Sequence, residues 1–206
     1  MTAAEPVRIR SYRPADLDAL YRICLLTGDN GGDGTHLYRD PWVIGHVHAA
    51  PYGIFEPSLA FVAEDGAGVG GYILGARDSE AFAGRLERDW WPRLRGRYPD
   101  PADVPEAERT ADQHKAHAIH HPWGADPRMA DRYPSHLHID LVPRLQSGGH
   151  GRRLMNTLIA ALREQGSPGV HLHVHPANER AIGFYEHVGF TRLPTDGVVT
   201  FAMDLR

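Results

Sequence analysis

The chain has 206 residues, and its 22 Lys and Arg residues against 26 Asp and Glu residues give a formal net charge of −4. This length suits a single domain, predicted to cover residues 1–206, and the acidic balance argues against a general nucleic-acid-binding protein. No apolar run approaches the ~20 residues of a membrane span, and no basic-then-apolar leader begins the chain, so we expect a cytoplasmic protein without a membrane partner. The only cysteine, Cys24, excludes an intramolecular disulfide and agrees with a reducing compartment.

The first part of the chain predicts a strand, two helices and a hairpin. Pro14 suits the first turn of a helix, and a loop rich in glycine and aspartate follows at 28–34. Asp65-Gly66 is typical of the turn between two hairpin strands. The predicted elements are a strand at 7–11, helices at 14–26 and 41–49, and strands at 59–63 and 69–74.

Two stretches imitate ligand-binding motifs without meeting their structural requirements. The glycines of 66–71 have the spacing of a dinucleotide-binding loop, but the next residues continue a strand instead of opening a helix. The stretch 29–40 imitates a calcium loop, but Gly31 stands where Asp or Asn is needed, and Asp40 replaces the bidentate Glu. We therefore predict a hairpin and a loop at these places.

A long charged and helical pattern from Asp78 to Pro134 separates the hairpin from the second half of the chain. This helical elaboration, at about 78–134, contains several prolines and the large aromatics Trp90, Trp91 and Tyr98. These aromatics can pack on the sheet, wall a cleft or form a homodimer contact, and the sequence leaves the three alternatives open. We predict that part of the segment lines the acceptor side of the ligand cleft.

The second half of the chain predicts strands and helices in alternation. Apolar and polar residues alternate along 136–142, which indicates a strand, and apolar residues at helical spacing after Gly151 indicate an amphipathic helix. The predicted elements are a strand at 136–142, a helix at 150–165, a strand at 169–175, a helix at 177–187 and a closing strand at 198–205.

The glycine-rich turn 146–151 joins the first of these strands directly to its helix. The first amides of a helix have no internal partners and carry the positive end of the helix dipole, so they attract a phosphate. Glycine lets phosphate oxygens approach these amides, because a side chain would hold them away. The turn therefore predicts a pyrophosphate-binding site.

Two motifs carry a resemblance to a known family. The turn matches the Q/R-x-x-G-x-G/A pyrophosphate loop of the GNAT superfamily of acetyl-CoA-dependent N-acetyltransferases, and a second stretch resembles that superfamily's other cofactor motif. More narrowly, the chain is similar to bacterial relatives of the acetyltransferase-like C-terminal domain of O-GlcNAcase. The matching residues are Gln146, Gly149 and Gly151 in the first motif, and Asn178, Ala181, Phe184, Tyr185, Gly189 and Phe190 in the second.

The resemblance implies an α/β fold of the GNAT type, with a mixed, mostly antiparallel twisted sheet, a splayed central parallel strand pair and flanking helices. The strands at 136–142 and 169–175 would splay and admit the cofactor. The implied function is transfer of acetyl from acetyl-CoA to a primary amine of a small molecule or protein, by direct attack in a ternary complex. The alternative is a pseudo-acetyltransferase that binds a peptide or ligand without chemistry.

The resemblance also assigns the residues that hold acetyl-CoA. The backbone of Leu141 and Val142 would pair with the pantetheine amides as an added strand does, and Asn178 would bind the pantetheine arm. Arg152 could add a charge-assisted contact to the pyrophosphate. The predicted cofactor-binding residues are Leu141, Val142, Gln146, Ser147, Gly148, Gly149, His150, Gly151, Arg152, Asn178, Ala181 and Tyr185.

Acetyl transfer to an amine needs a proton acceptor, because a lysine-like amine with a pKa of about 10.4 is protonated at neutral pH. Alternation places His138 and Asp140 on one face near the cofactor end of the strand, so they are the candidates; the alternative is that Asp140 only fixes His138 or the turn. By resemblance, Tyr185 is the general acid that protonates the departing thiolate, and packing is its alternative role.

The acceptor side is predicted around the loop at 28–36 and the helix after it. Carboxylates there would favour a cationic amine, and the predicted acceptor-binding residues are Asp29, Asp33, Trp42 and Tyr52. Histidines alternate on two neighbouring strands at a spacing that can ligate zinc, namely His136, His138, His171, His173 and His175. No cysteine and no paired acidic motif supports such a site, and a catalytic or acceptor-binding role fits the cleft equally well. We predict no metal, and hydrogen-bonded or solvated histidines.

Overall fold

The computed structural model describes residues 6–194 and 197–206. Its strands are β1 (Arg8–Ser11), β2 (Ala60–Asp65), β3 (Gly68–Ala76), β4 (Ser135–Leu141), β5 (Gly169–Val174), β6 (Thr191–Leu193) and β7 (Val199–Asp204). Its helices are α1 (Leu17–Leu26), α2 (Val43–His48), α3 (Ala50–Phe55), α4 (Ser79–Asp89), α5 (Trp91–Arg95), α6 (Ala111–His120), α7 (His150–Glu164) and α8 (Glu179–His187).

The strands form one mixed sheet in the order β1-β2-β3-β4-β5-β7-β6. The pair β4–β5 is parallel, and the other neighbouring pairs are antiparallel. The parallel pairing joins Ser135 to Val170 and His136 to His171, and β4 then continues to Leu141 without β5 beside it. The predicted fold class and the splayed central pair are thus confirmed.

Each face of the sheet packs against its own helices. Along β3, Ile73 points into the core that α7 covers, whereas Tyr72 and Leu74 point into the core that α1 covers. Because Tyr72 lies opposite Asp140 and Leu74 opposite His138 in the β3–β4 register, those two polar residues also belong to the α1 face. This register directs His138 and Asp140 toward α1 and α2.

The segment between β3 and β4 is a helical layer, as predicted, and its aromatics pack. Trp91 is buried in a cluster with Phe82 and Leu94, the indole nitrogen of Trp90 donates to the His46 carbonyl at 2.9 Å, and the Tyr98 hydroxyl donates to Asp40 at 2.8 Å. Helix α6 begins at a capping box and packs against α2. The layer therefore packs against α2.

Two elements were not predicted, and one predicted element is shorter. The helix expected at 41–49 ends at His48, and α3 follows because Pro51 opens a new helical turn at its first positions. Strand β6 has three residues and lies at the edge of the sheet, too short to show an alternating pattern. The hairpin expected at 66–71 is confirmed, with Gly68 at a φ of +94°. In the described ranges no helix is long and apolar enough to cross a membrane.

The close contact between α1 and α2 predicts a strong effect of one added methyl group. A Cβ on Gly45 would collide with the ring of Tyr21, so Gly45→Ala should destabilise the protein by about 1–3 kcal/mol. The matched control is Gly84→Ala in α4, whose Cβ would meet a flexible arginine side chain at 3.5 Å and should stabilise the helix by up to about 1 kcal/mol. Urea unfolding measures both, and equal stabilities would contradict this packing.

Candidate active site

A cavity of about 770 Å³ opens where β4 and β5 separate. One of its walls comes from the N-terminal ends of α7 and α8, and the opposite wall comes from α1, α2 and α6. Residues of both predicted motifs line it, among them Gly149, Gly151, Asn178 and Tyr185. The sheet therefore brings the two motifs to one continuous space, which we call the central cavity.

The turn before α7 has the geometry of an anion site. Gly149 is the helix N-cap with a φ of +74°, and the first intrahelical hydrogen bond runs from the Arg153 amide to the Gly149 carbonyl at 3.1 Å. The amides of His150, Gly151 and Arg152 therefore precede the helical ladder. A Cβ on Gly149 would meet nothing within 4 Å, so open space stands over the turn. A pyrophosphate fits these donors and this space.

Gln146 links the turn to its surroundings through both ends of its amide. Its Nε2 donates to the Leu141 carbonyl at 2.7 Å, and its Oε1 accepts a hydrogen bond from Arg180. Its side chain therefore ties β4 to α8 and holds the turn between them. Arg180, which also lines the central cavity, was not predicted from the sequence. A direct contact of Gln146 with the cofactor stays a prediction.

Asn178 begins α8, because its Oδ1 accepts from the Ala181 amide at 3.1 Å. Both residues line the central cavity, together with Leu141, Ser147 and Tyr185. The prediction for Val142 needs correction. Its amide donates to the Gly70 carbonyl at 2.9 Å, and its side chain is buried in the α1 core, so it continues the pairing with β3 and faces away from the splay.

Tyr185 is buried and lines the central cavity. Its ring packs against Phe184, Phe190 and Phe201 at centroid distances of 5.5, 6.0 and 5.7 Å. Burial raises the pKa of Tyr185 above its usual value, and the negative charge of Asp140 adds to the rise. The phenol thus stays protonated at neutral pH, as a proton donor must.

His138 and Asp140 form a close pair on the α1 face of β4. The His138 Nε2 lies 3.0 Å from the Asp140 Oδ2, and the same oxygen accepts a hydrogen bond from the Tyr72 hydroxyl at 2.5 Å. Burial opposes a charge on His138, but the neighbouring Asp140 carboxylate outweighs it and raises the pKa of His138 to about 10. His138 therefore favours its protonated form beside Asp140.

A second pair, His48 and Lys115, stands beside the first. The imidazole of His48 stacks on that of His138 with a centroid distance of 5.8 Å, and its Nε2 lies 2.9 Å from the Lys115 Nζ. Burial lowers the pKa of His48 well below its usual value, and the charges of Lys115 and His138 lower it further. Burial likewise lowers the pKa of Lys115. Because its pKa is lowered, His48 is a neutral acceptor for the lysine hydrogen bond. Both residues line the central cavity.

Comparison with protein families agrees with this geometry. A family model described as the acetyltransferase (GNAT) family matches residues 33–190, which include both motifs and the strands that carry them. The chain belongs to this family.

Two curated proteins and one solved structure are similar to this GNAT chain. It is 28% identical to protein O-GlcNAcase of Rattus norvegicus over 88% of the chain, but it spans only 20% of that protein. It is 30% identical to mycothiol acetyltransferase of Propionibacterium freudenreichii over 59% of the chain and 36% of that protein. The crystal structure of SsHAT superposes with a TM-score of 0.90 and 39% identity, covering 97% of this chain and 98% of the other.

A more distant GNAT structure extends the fold comparison. A putative acetyltransferase from Salmonella typhimurium, solved with its cofactor acetyl-CoA, superposes with a TM-score of 0.58 at 15% identity. It covers 98% of this chain, and 95% of that protein is matched. At this identity the match supports the shared fold.

The four residues predicted to bind the acceptor of this GNAT chain do not line the central cavity. Asp29 lies 3.8 Å from His36, Asp33 caps a turn at Thr35, and Trp42 is 41% exposed beside Tyr21. The prediction for Tyr52 needs correction, because its hydroxyl is hydrogen bonded to the His136 Nε2 at 2.9 Å and does not line the cavity. The same loop instead presents Asn30 and Gly31 to the cavity.

Helix α6 supplies a wall of the central cavity through Lys115, as predicted for part of the 78–134 segment. The sequence singles out Lys115 as the only lysine, a target for self-acetylation, but it predicted neither Lys115 nor His48 as a residue of the cavity. They are 67 positions apart, and the packing of α6 on α2 brings them together. No local pattern carries that information.

Three of the strand histidines make side-chain hydrogen bonds, as the alternative to zinc binding predicted, and His138 pairs with Asp140. His136 contacts the Ser79 hydroxyl at 2.7 Å, His171 the Tyr133 carbonyl at 2.7 Å, and His173 Thr200 at 3.0 Å. Two groups in the described chain have ligand atoms within 4.8 Å of one another, Cys24 with His138 and Asp140, and Asp100 with His117 and His121. In both groups a carboxylate already pairs with a histidine, and the absence of a metal stays a prediction.

Proposed function

We propose that this chain is an N-acetyltransferase that transfers acetyl from acetyl-CoA to a primary amine of a small molecule or peptide, by direct attack in a ternary complex. The observation that carries the proposal is the central cavity itself. It brings together the open N-terminus of α7, the Tyr185 phenol and the His138–Asp140 pair. These are the parts that the reaction requires.

Acetyl-CoA fits the residues of one wall. The unpaired amides at the start of α7 suit the pyrophosphate, and the positive end of the helix dipole favours its charge. Arg180 and Arg152 line the same wall and can add charge-assisted contacts. When bound, the cofactor supplies an acetyl group activated as a thioester. The acetyl-CoA that occupies the Salmonella structure of the same fold agrees with this assignment.

The acceptor amine reaches the other wall as an ammonium and must lose a proton. His138 takes this proton once it is itself neutral, and Asp140 orients the ring and stabilises its charged form. The Tyr72 hydroxyl fixes the carboxylate in turn. Tyr185, which is kept protonated by burial, donates a proton to the leaving sulfur. Turnover therefore needs His138 without its extra proton and Tyr185 with its phenolic proton at the same time.

The similarity to O-GlcNAcase favours one alternative, a module that binds a peptide or ligand without chemistry. The test is a panel of primary amines assayed by thiol release from acetyl-CoA, with the melting temperature followed in parallel. Thiol release with at least one amine supports an enzyme. Binding of acetyl-CoA without thiol release across small amines and peptides would support the binding module instead.

The His138–Asp140 pair predicts a specific pH dependence. Because the Asp140 carboxylate raises the pKa of His138 to about 10, a base with this pKa makes kcat/KM rise with pH up to about 10. Asp140→Asn removes the negative charge, so the pKa of His138 falls and the rising limb moves to lower pH. An acceptor amine of low pKa keeps its own titration out of this range. A limb at the same pH in both proteins would exclude His138 as the base.

A further inference from the structure

Lys115 is the only lysine of the chain, and it faces the central cavity. Helix α6 holds it against α2, so that its Nζ meets the Nε2 of His48 at 2.9 Å. His48 in turn stacks on His138, two residues before Asp140 and three before Leu141 on β4. An internal amine therefore stands beside the His138–Asp140 pair, where the proposed function brings the acceptor amine.

The surroundings of Lys115 suit a nucleophile better than a structural cation. A lysine buried for stability is usually paired with a carboxylate, because an unpaired buried charge is costly. The hydrogen bond of this Nζ goes instead to His48, an imidazole that burial keeps neutral. Burial also lowers the pKa of Lys115, which increases the fraction of neutral, nucleophilic amine.

We infer that Lys115 is a self-acetylation site, whose side-chain amine takes the acetyl group of the donor bound in the same cavity. This inference rests on the proposed function, since it requires acetyl-CoA in the cavity. It adds a covalent modification of the protein itself, which occurs when no acceptor amine occupies the site. The amine and the donor then share one cavity, which raises their effective concentration.

The step is balanced without any further reactant. The neutral Nζ attacks the carbonyl carbon of the thioester, a C–N bond forms, and the C–S bond breaks with its electron pair on the sulfur. The attacking nitrogen releases one proton to His48 or to water, and the sulfur takes one from Tyr185 or from water. The products are Nζ-acetyllysine at Lys115 and free coenzyme A.

Acetylation of Lys115 should lower turnover of external amines. The product replaces the amine with a larger neutral amide and adds an acetyl group to the acceptor wall. Because an amide does not return its acetyl group to coenzyme A readily, the modification accumulates. The chain would thus inactivate itself when acetyl-CoA is abundant and the acceptor is scarce.

The experiment measures the rate of lysine acetylation on the folded chain by intact mass and peptide mapping during incubation with acetyl-CoA. Arg88→Lys supplies the reference, because it adds an exposed lysine on α4 outside the cavity. We expect Lys115 to acquire one acetyl group about tenfold or more faster than the introduced lysine. Unfolding in urea or the further substitution Gly149→Asp should remove this difference.

A second measurement links the modification to turnover. Chains incubated with acetyl-CoA should lose acceptor turnover in proportion to the acetylated fraction of Lys115, and Lys115→Arg should abolish the internal label. If thiol is released with an external amine but Lys115 reacts no faster than the introduced lysine, the inference is wrong and the proposed function stands. If acetyl-CoA neither stabilises the chain nor releases thiol with any amine, both are wrong.

Discussion

Gly149→Asp is expected to abolish the stabilisation of this chain by acetyl-CoA. The wild-type protein should gain about 2.7 kcal/mol at a hundredfold excess of acetyl-CoA over its dissociation constant, which corresponds to roughly 5–10 °C in the melting temperature. A carboxylate at position 149 would project into the open space over the turn, where the pyrophosphate is expected. Its negative charge would repel the phosphates at short range.

Gly149→Asn is the matched control for this substitution. Asparagine has nearly the same shape as aspartate, and both tolerate the positive φ of 74° that this position requires. The two variants should therefore lose similar amounts of intrinsic stability and differ in the charge beside the cofactor. Differential scanning fluorimetry with and without acetyl-CoA separates the two effects. An undiminished thermal shift in Gly149→Asp would remove the pyrophosphate from this turn.

Tyr185→Phe should lower kcat by about 10²–10⁴-fold and leave acetyl-CoA affinity nearly unchanged, because only the phenolic proton donor is removed. The aromatic packing against Phe184, Phe190 and Phe201 is kept. Single-turnover kinetics and calorimetric titration with acetyl-CoA measure the two quantities separately.

Tyr12→Phe is the control for the tyrosine substitution, since Tyr12 is buried in the α1 core away from the central cavity. It should leave kcat unchanged. A Tyr185→Phe rate within about twofold of wild type, with chemistry shown to limit turnover, would assign protonation of the sulfur to water or to another group.

The donor half of the site could be predicted from the sequence because its residues are close together along the chain. The turn at 146–151 lies between a strand and a helix with clear periodicity, and Asn178 is a helix cap with a recognisable residue type. Periodicity and helix-cap residue types are enough to predict where such residues lie. Val142 was misplaced because the residue at which β4 stops facing the splay depends on its pairing with β3.

The acceptor half could not be predicted in the same way. His48 and Lys115 belong to helices that meet through tertiary packing, and nothing in either helix indicates the other. Exposed acidic residues such as Asp33 suggested a cationic acceptor from composition alone, whereas the wall has His48 and Lys115 with the His138–Asp140 pair. A hydrophobic pattern predicts which face of a helix is buried, but it does not predict its neighbour.

The central cavity divides along the chain in a way that bears on how its specificity can change. Its donor wall comes from one continuous stretch, the turn before α7 through α8. Its acceptor wall is assembled from helices α1, α2 and α6, the loop at Asn30 and Gly31, and the His138–Asp140 pair of β4. Substitutions in those three helices can therefore alter the choice of amine without touching the phosphate turn. Libraries for a new acceptor preference should vary helix faces before β4 and leave the stretch from β4 to α8 intact. Helices α1, α2 and α6 are then the part of the scaffold that can be varied.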